Sequence, residues 1–293
     1  MQTRDLATYL FLALAWGLSF LVVLQVVDGF GWAGAVAFRA LIAGAALILF
    51  ARLSGRRLRF TSGFPSLALV GATTVAGQLI GLSYGTPRIG TAMAAIIVAA
   101  IPLFSMVIAQ AWGLERITPA RLLGLVLGLI GIVLLVGFPA VPATPSFLLG
   151  CAACLAGSFC AAFGSNVVSA RLAGVDALEV TAAAFLTGGL ISLPLLLIVP
   201  VPAWPQPLDW AALFTSALMM SALTYVLYFR LVARIGATRS ISVEFAVTLV
   251  AVFVGAVVLG EPLTGIQLAG AAVIVMGCLL VLGLIPSRSR RPR

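Results

Sequence analysis

Apolar runs of about twenty residues follow one another along this chain, and the charges, prolines and glycines that interrupt them come in short clusters. A helix needs about 20 apolar residues to cross the hydrocarbon of a bilayer. Cutting the sequence at charges and turn residues predicts ten such helices, over roughly 6–27, 32–51, 65–84, 90–113, 119–138, 146–169, 177–199, 209–230, 238–259 and 264–285. The weakest cut separates the third from the fourth, where only YGTPRIG (84–90) breaks the run. The firmest is PVPAWPQPLD (200–209), whose four prolines cannot sit in a helix interior. The linkers leave no room for a soluble domain. The first run starts too early and extends too far for the apolar core of a cleavable signal peptide, so it is expected to be the first span.

Composition turns this pattern into a fold class. Hydrophobic residues make up 62% of the chain and charged residues 9%, and the mean hydropathy is +1.22. A soluble domain carries about 25% charge. Nearly all of the surface must therefore face lipid or other helices, as in an all-α polytopic membrane protein of ten transmembrane helices. The net charge of +9 is 17 cationic residues against 8 acidic ones. Every cation is arginine; lysine and histidine are absent. In a soluble protein such a balance would suggest nucleic acid, but here the arginines sit in short loops, and no nucleic-acid partner is expected. With the N-terminus inside, fifteen fall on inner segments: Arg4, Arg52, Arg56, Arg57, Arg59, Arg116, Arg121, Arg171, Arg230, Arg234, Arg239, Arg288, Arg290, Arg291 and Arg293. Arg88 alone falls outside, and Arg39 lies within a span. Positive loops remain cytoplasmic, which predicts both termini in the cytoplasm of a bacterial inner membrane.

The chain is also written twice. A shift of 146 residues lays residues 88–137 on the second half without a gap: Arg88-Ile89-Gly90 on Arg234-Ile235-Gly236, Glu115 on Glu261, Thr118 on Thr264, Gly124 on Gly270 and Gly131 on Gly277. Upstream, a shift of 147 lays Trp16-Gly17 on Phe163-Gly164 more weakly. The expected halves are residues 1–139 and 140–293, five spans each. An odd number makes the second copy enter the membrane from the opposite side, and inverted repeats of this kind place a binding site between the halves.

The segments LGEPLTGIQLAGAAVIVMG (259–277) and RIGATRS (234–240), together with ten spans in two inverted halves, resemble the EamA-like group of the drug/metabolite transporter superfamily. Within it the chain is similar to the YddG-type aromatic amino-acid exporters. The resemblance covers essentially the whole chain. It departs from the group's pattern in two places. Pro102 precedes Glu115 by thirteen residues, but Thr248 takes that position before Glu261; and the Glu-Pro pair is kept only as Glu261-Pro262, the first copy reading Glu115-Arg116.

The resemblance implies a central cavity between spans 1, 3, 4, 6, 8 and 9, with spans 2, 5, 7 and 10 outside it. Its substrate-binding candidates are then Trp16, Ser19, Gln78, Tyr84, Phe163, Asn166, Tyr225, Tyr228 and Glu244. Each has a plainer reading too. Tyr84 and Trp210 suit an interfacial aromatic belt, and Ser19 or Asn166 could simply bond a neighbouring helix. A charge within a span costs several kcal/mol unless partnered or hydrated, and only Arg39 and Glu244 qualify. They sit roughly 9 Å deep from opposite ends, too far apart for a direct ion pair. Arg39, on a peripheral span, has snorkelling toward the outer headgroups as its plainer reading; Glu244 either lines the pathway or pairs locally with Arg239 or another inner arginine. Glu261, with Pro262, reads as a first-turn acid on its own helix, and Glu115 with Pro119 as its counterpart.

Other chemistries are poorly served. Without lysine there is no phosphate-binding G-x-x-x-x-G-K loop. Without histidine, Cys151, Cys154, Cys160 and Cys278, all inside apolar runs, read as small apolar residues rather than zinc ligands. No cofactor, metal or catalysis is expected. The expected activity is secondary transport: export of small metabolites, aromatic or other neutral amino acids first, by alternating access. Other drug-like or amphipathic metabolites are the alternative substrates. A non-transporting assembly or sensor subunit is the alternative role, and the spacing Gly124-x-x-x-Gly128 fits either.

Overall fold

A backbone N–H or C=O left unpaired in hydrocarbon is costly, so each span must satisfy itself as a helix. A computed structural model describes residues 3–60, 63–114, 118–137, 142–235, 240–241 and 243–281, and every regular element among them is helical. The first two spans form one helical run, Thr3–Leu53, of 51 residues. At about 1.5 Å per residue it is twice too long for one crossing. Gly31 (φ 67°, ψ 162°) breaks it into two limbs, in a conformation that glycine alone adopts readily.

The third span runs through Phe64–Val70, a π turn at Gly71–Gly77, and Gln78–Ile89. The loop expected at 84–90 is thus mostly helix, and the chain turns only at Gly90 (φ 85°). Arg88 explains the extension. Its guanidinium lies 3.6 Å from the Tyr84 ring centroid and donates to the Tyr84 carbonyl, so its charge is met from within the helix. The fourth span comprises Thr91–Val98 and Ile101–Ala111, and the fifth is Pro119–Gly137.

In the second half the sixth span is Pro145–Arg171, capped by Thr144, and the seventh is Ala177–Ser192, capped by Asp176 and continued by a 3-10 turn at Leu193–Leu197. The eighth joins Pro207–Ala217, a π turn at Leu218–Leu223, and Thr224–Ile235. The ninth is Val243–Phe253 with a π turn at Val254–Val258, and the tenth is Gly265–Val281. Among the described residues, ten helical segments therefore stand where ten were expected.

The packing repeats as the sequence does. At the crossing of the fifth and tenth spans, a Cβ on Gly131 would lie 2.7 Å from the Gly270 carbonyl oxygen, and one on Gly277 would lie 2.5 Å from that of Gly124. The two contacts are images of each other under the 146-residue shift, because Gly131 matches Gly277 and Gly124 matches Gly270. Such reciprocity is what a two-fold relation produces. The second and seventh spans show the same reciprocity at a shift of 145 residues: Gly44 meets Leu186, and Gly189 meets Leu41. The third and sixth spans approach through Gly77, Gly81 and Gly85 against Cys160, Gly157 and Cys154. Cys151 and Cys154 are buried free thiols and Cys160 is half-buried, in keeping with small packing residues; the Cys278 side chain lies outside the described residues. First and eighth spans are tied at one end by Asp5 and Arg234 (3.4 Å) and at the other by Gln25 Nε2, which donates to Asp209 Oδ1 (2.6 Å).

Candidate functional site

Where the two halves meet, the third and eighth spans each carry a π turn, Gly71–Gly77 and Leu218–Leu223. A π turn inserts a residue into the helical register and re-aims the side chains beyond it, a device frequent at functional sites. Just beyond it lie Gln78 in the third span, and Thr224 and Tyr225 in the eighth. The Tyr225 hydroxyl donates to Gln78 Oε1 (3.2 Å) across the 147 residues that separate the two. Trp16 joins them from the first span. Its Nε1 donates to Thr224 Oγ1 (3.0 Å), and its ring centroid lies 5.4 Å from that of Tyr225 and 5.3 Å from that of Tyr228.

Two chambers adjoin this cluster. The larger holds about 540 Å³ of space, including its open side. Trp16, Ser19, Phe20, Gln78, Ser83 and Thr86 line it, with Arg39, Tyr225 and Glu244. It runs toward the Gly31 end of the bundle, where Val23 and Thr86 adjoin Leu24 and Pro87 of a wide vestibule. The smaller, about 250 Å³ with its open side counted likewise, runs the other way past Thr74, Ser165 and Tyr228, where the Ser165 and Tyr228 hydroxyls are 3.1 Å apart. Trp16, Gln78, Tyr225 and Glu244 belong to both chambers. These four side chains form the wall between them.

The two charges within spans both reach this place. Glu244 is 8% exposed, and among the described residues its carboxylate has no hydrogen-bond donor and no ion-pair partner. Arg239, its expected local partner, lies outside the described residues. Arg39 corrects an expectation. It does not snorkel: it is 6% exposed, with Nε donating to Ser221 Oγ (2.6 Å) and Nη2 to the Met220 carbonyl (3.2 Å), both on the π turn of the eighth span. As expected, it forms no ion pair with Glu244; yet the two line one cavity.

Of the nine sequence-predicted residues, Trp16, Ser19, Gln78, Tyr225 and Glu244 line the larger chamber and Tyr228 the smaller. Three stand apart from both chambers. Tyr84 packs against Arg88 and Trp32. Phe163 packs edge-on against Trp112. Asn166 spends its amide on Ser105 Oγ (2.9 Å) and the Ala162 carbonyl (2.8 Å), the helix-to-helix bond that was its plainer reading. Ser83 and Thr86 were missed, although Gln78, Leu82 and Thr86 recur every four residues and so share a helix face. Glu261 is structural, but on another helix than expected. Its Oε1 and Oε2 accept from the Thr91 and Ala92 amides (both 2.7 Å), so a second-half carboxylate caps the fourth span where Gly90 leaves its first N–H groups unpaired. Glu115, its repeat counterpart, lies outside the described residues.

The model of the EamA-like transporter family matches this chain twice, over residues 6–137 and 148–283. The chain belongs to that family. Each match holds five of the ten helical segments. This EamA-like transporter is 28% identical over 274 residues to a probable terminal-alkyne amino-acid exporter of Streptantibioticus cattleyicolor, covering 91% of this chain and 89% of that one. It is 26% identical to protein PecM of Dickeya dadantii over 294 residues, covering 100% and 96%. It is also 26% identical to the uncharacterized inner membrane transporter YedA of Escherichia coli, covering 92% and 88%. A solved crystal structure shares the fold with a TM-score of 0.67 at 20% identity, each chain covered to 96%. The protein is thus a membrane transporter for a small molecule.

Proposed function

We propose that this EamA-like transporter exports small metabolites, aromatic or other neutral amino acids first, by alternating access at the wall between the two chambers. The observation that carries the reading is that Trp16, Gln78, Tyr225 and Glu244 belong to both chambers: a ligand seated against them needs only the re-aiming of four side chains to change sides. Rings of Trp16, Phe20 and Tyr225 suit an apolar side chain, while Gln78, Ser19 and Glu244 offer polar contacts to an amine. Phosphorylated sugars would need a cluster of cations, and the larger chamber has one arginine. The amino-acid exporter of Streptantibioticus cattleyicolor lends support to the same class.

The two repeats, divided near residues 139 and 140, exchange roles as the wall opens to one side or the other. The arginine distribution orients the protein with both termini in the cytoplasm of the inner membrane and the Gly31 end outside. Purified protein in liposomes is expected to move Phe, Trp or Thr and to ignore sugar phosphates. Robust flux of a dianionic phosphate would overturn the substrate class. A reporter fused after Arg293 is expected to be cytoplasmic; a periplasmic tail would undo the orientation.

A further inference from the structure

Two ionisable side chains of opposite type, Arg39 and Glu244, face the larger chamber and do not pair with each other. A buried charge is expensive unless it is paired, and among the described residues neither Arg39 nor Glu244 has an ionic partner. Glu244 also has no hydrogen-bond donor among them. Arg39 is held differently. Ser221 and Met220 of the eighth-span π turn take Nε and Nη2, whereas Nη1 has no partner among the described residues. A guanidinium offers five N–H donors in a planar fork, suited to a carboxylate. Fixed along one edge, it presents the other to whatever enters the chamber.

We infer that Arg39 is the carboxylate-binding residue of the transport site, and that with Glu244 it reads the two ends of a zwitterion. Resting on the amino-acid reading above, the assignment orients the substrate: carboxylate toward the second and eighth spans, ammonium toward the ninth, side chain against the rings of Trp16 and Phe20. It also gives the π turn at Leu218–Leu223 a role. Ser221 is a positioning residue that holds the fork in place, on the same turn that leads into Tyr225. Each buried charge then finds its counter-ion only when substrate is bound, so a ligand with one charge missing leaves one of them unmet.

The test uses detergent-purified full-length protein and three ligands with the same ring: phenylalanine, phenethylamine, which lacks the carboxylate, and 3-phenylpropionate, which lacks the ammonium. Ligand-induced thermal stabilisation reports binding, and liposome flux of phenylalanine reports transport. The wild type is expected to respond to all three, most strongly to phenylalanine. Arg39→Gln should weaken binding of phenylalanine and 3-phenylpropionate about ten- to a hundredfold, the cost of a lost charged hydrogen bond, and leave phenethylamine unchanged. Glu244→Gln should do the reverse. If Arg39→Gln fails to fold, Ser221→Ala serves, with a several-fold loss for 3-phenylpropionate and none for phenethylamine. Unchanged 3-phenylpropionate binding in Arg39→Gln, or equal loss of both single-charge ligands, overturns the assignment while wild-type flux keeps the export reading. Absent flux with the Arg39 pattern intact overturns export and keeps the site. No wild-type response to any of the three overturns both.

Discussion

The crossing of the fifth and tenth spans and the wall between the two chambers both lie where one repeat meets the other, yet they treat the repeat in opposite ways. At the crossing the match is kept: Gly131 meets Gly270 as Gly277 meets Gly124. At the wall the match is broken. Glu244 corresponds, at the 146-residue shift, to Val98, and both line the larger chamber. Trp16 corresponds to Phe163, but only Trp16 reaches the chambers. Symmetry builds the scaffold because identical backbones cross most closely where small residues meet. The proposed site lies where the copies have diverged, and a charge on one face of a two-fold site would give a small ligand a direction to bind in.

Breaking the symmetric side should cost folding. Gly131→Leu pushes a side chain onto the Gly270 carbonyl and the Ile274 backbone, so no rotamer relieves it. Overpacking costs about 1–3 kcal/mol, and a rigid backbone contact belongs at the upper end. Folded yield and Tm should fall, while flux per folded molecule stays near wild type; a normal Tm would mean that the two helices can part without loss. Breaking the divergent side should cost transport instead. Glu244→Gln keeps volume and hydrogen-bonding capacity but deletes the charge, and phenylalanine flux should drop about tenfold with Tm nearly unchanged. An early melt with normal flux per folded molecule would make Glu244 a structural acid.

The smallest effects sharpen the comparison. Trp16→Phe restores the residue type of its repeat counterpart and removes the donor to Thr224 Oγ1. A neutral hydrogen bond contributes about 1 kcal/mol, so KM should rise a few-fold with little change in Tm. Phe163→Leu, on the non-participating partner, should leave KM alone. Equal effects from the two would show that the copies still act as equivalents.

Much of the architecture was legible in the sequence because the solvent imposes it. Hydrocarbon requires about twenty apolar residues per crossing and a helix to carry them, so composition and periodicity were enough for ten segments. The 146-residue match made the doubling visible before any contact was known. The errors arose where a local pattern had two outcomes. YGTPRIG has the proline and arginine of a loop, but Arg88 settles on Tyr84 and the helix persists to Ile89. Glu261 has the position of a first-turn acid, but its carboxylate reaches Thr91 and Ala92 in the other repeat. Arg39 had the depth of a snorkelling residue, but Ser221 and the Met220 carbonyl, 182 and 181 residues along the chain, hold it inside.

By itself, then, the sequence determined the membrane, the helical segments, the internal duplication and the two ionisable groups that had to be explained. These come from hydrophobic period and from the cost of an ion in lipid, both of which are local. Only the tertiary structure decided which of those polar groups meet. Gln78 and Tyr225 are brought together, Asn166 is spent on Ser105, and Arg39 and Glu244 face one space without touching. The reason is geometric. A side chain's depth in the membrane can be counted from its position in a helix, but the direction it faces depends on helix rotation, and here a π turn and glycine-to-backbone contacts set that rotation.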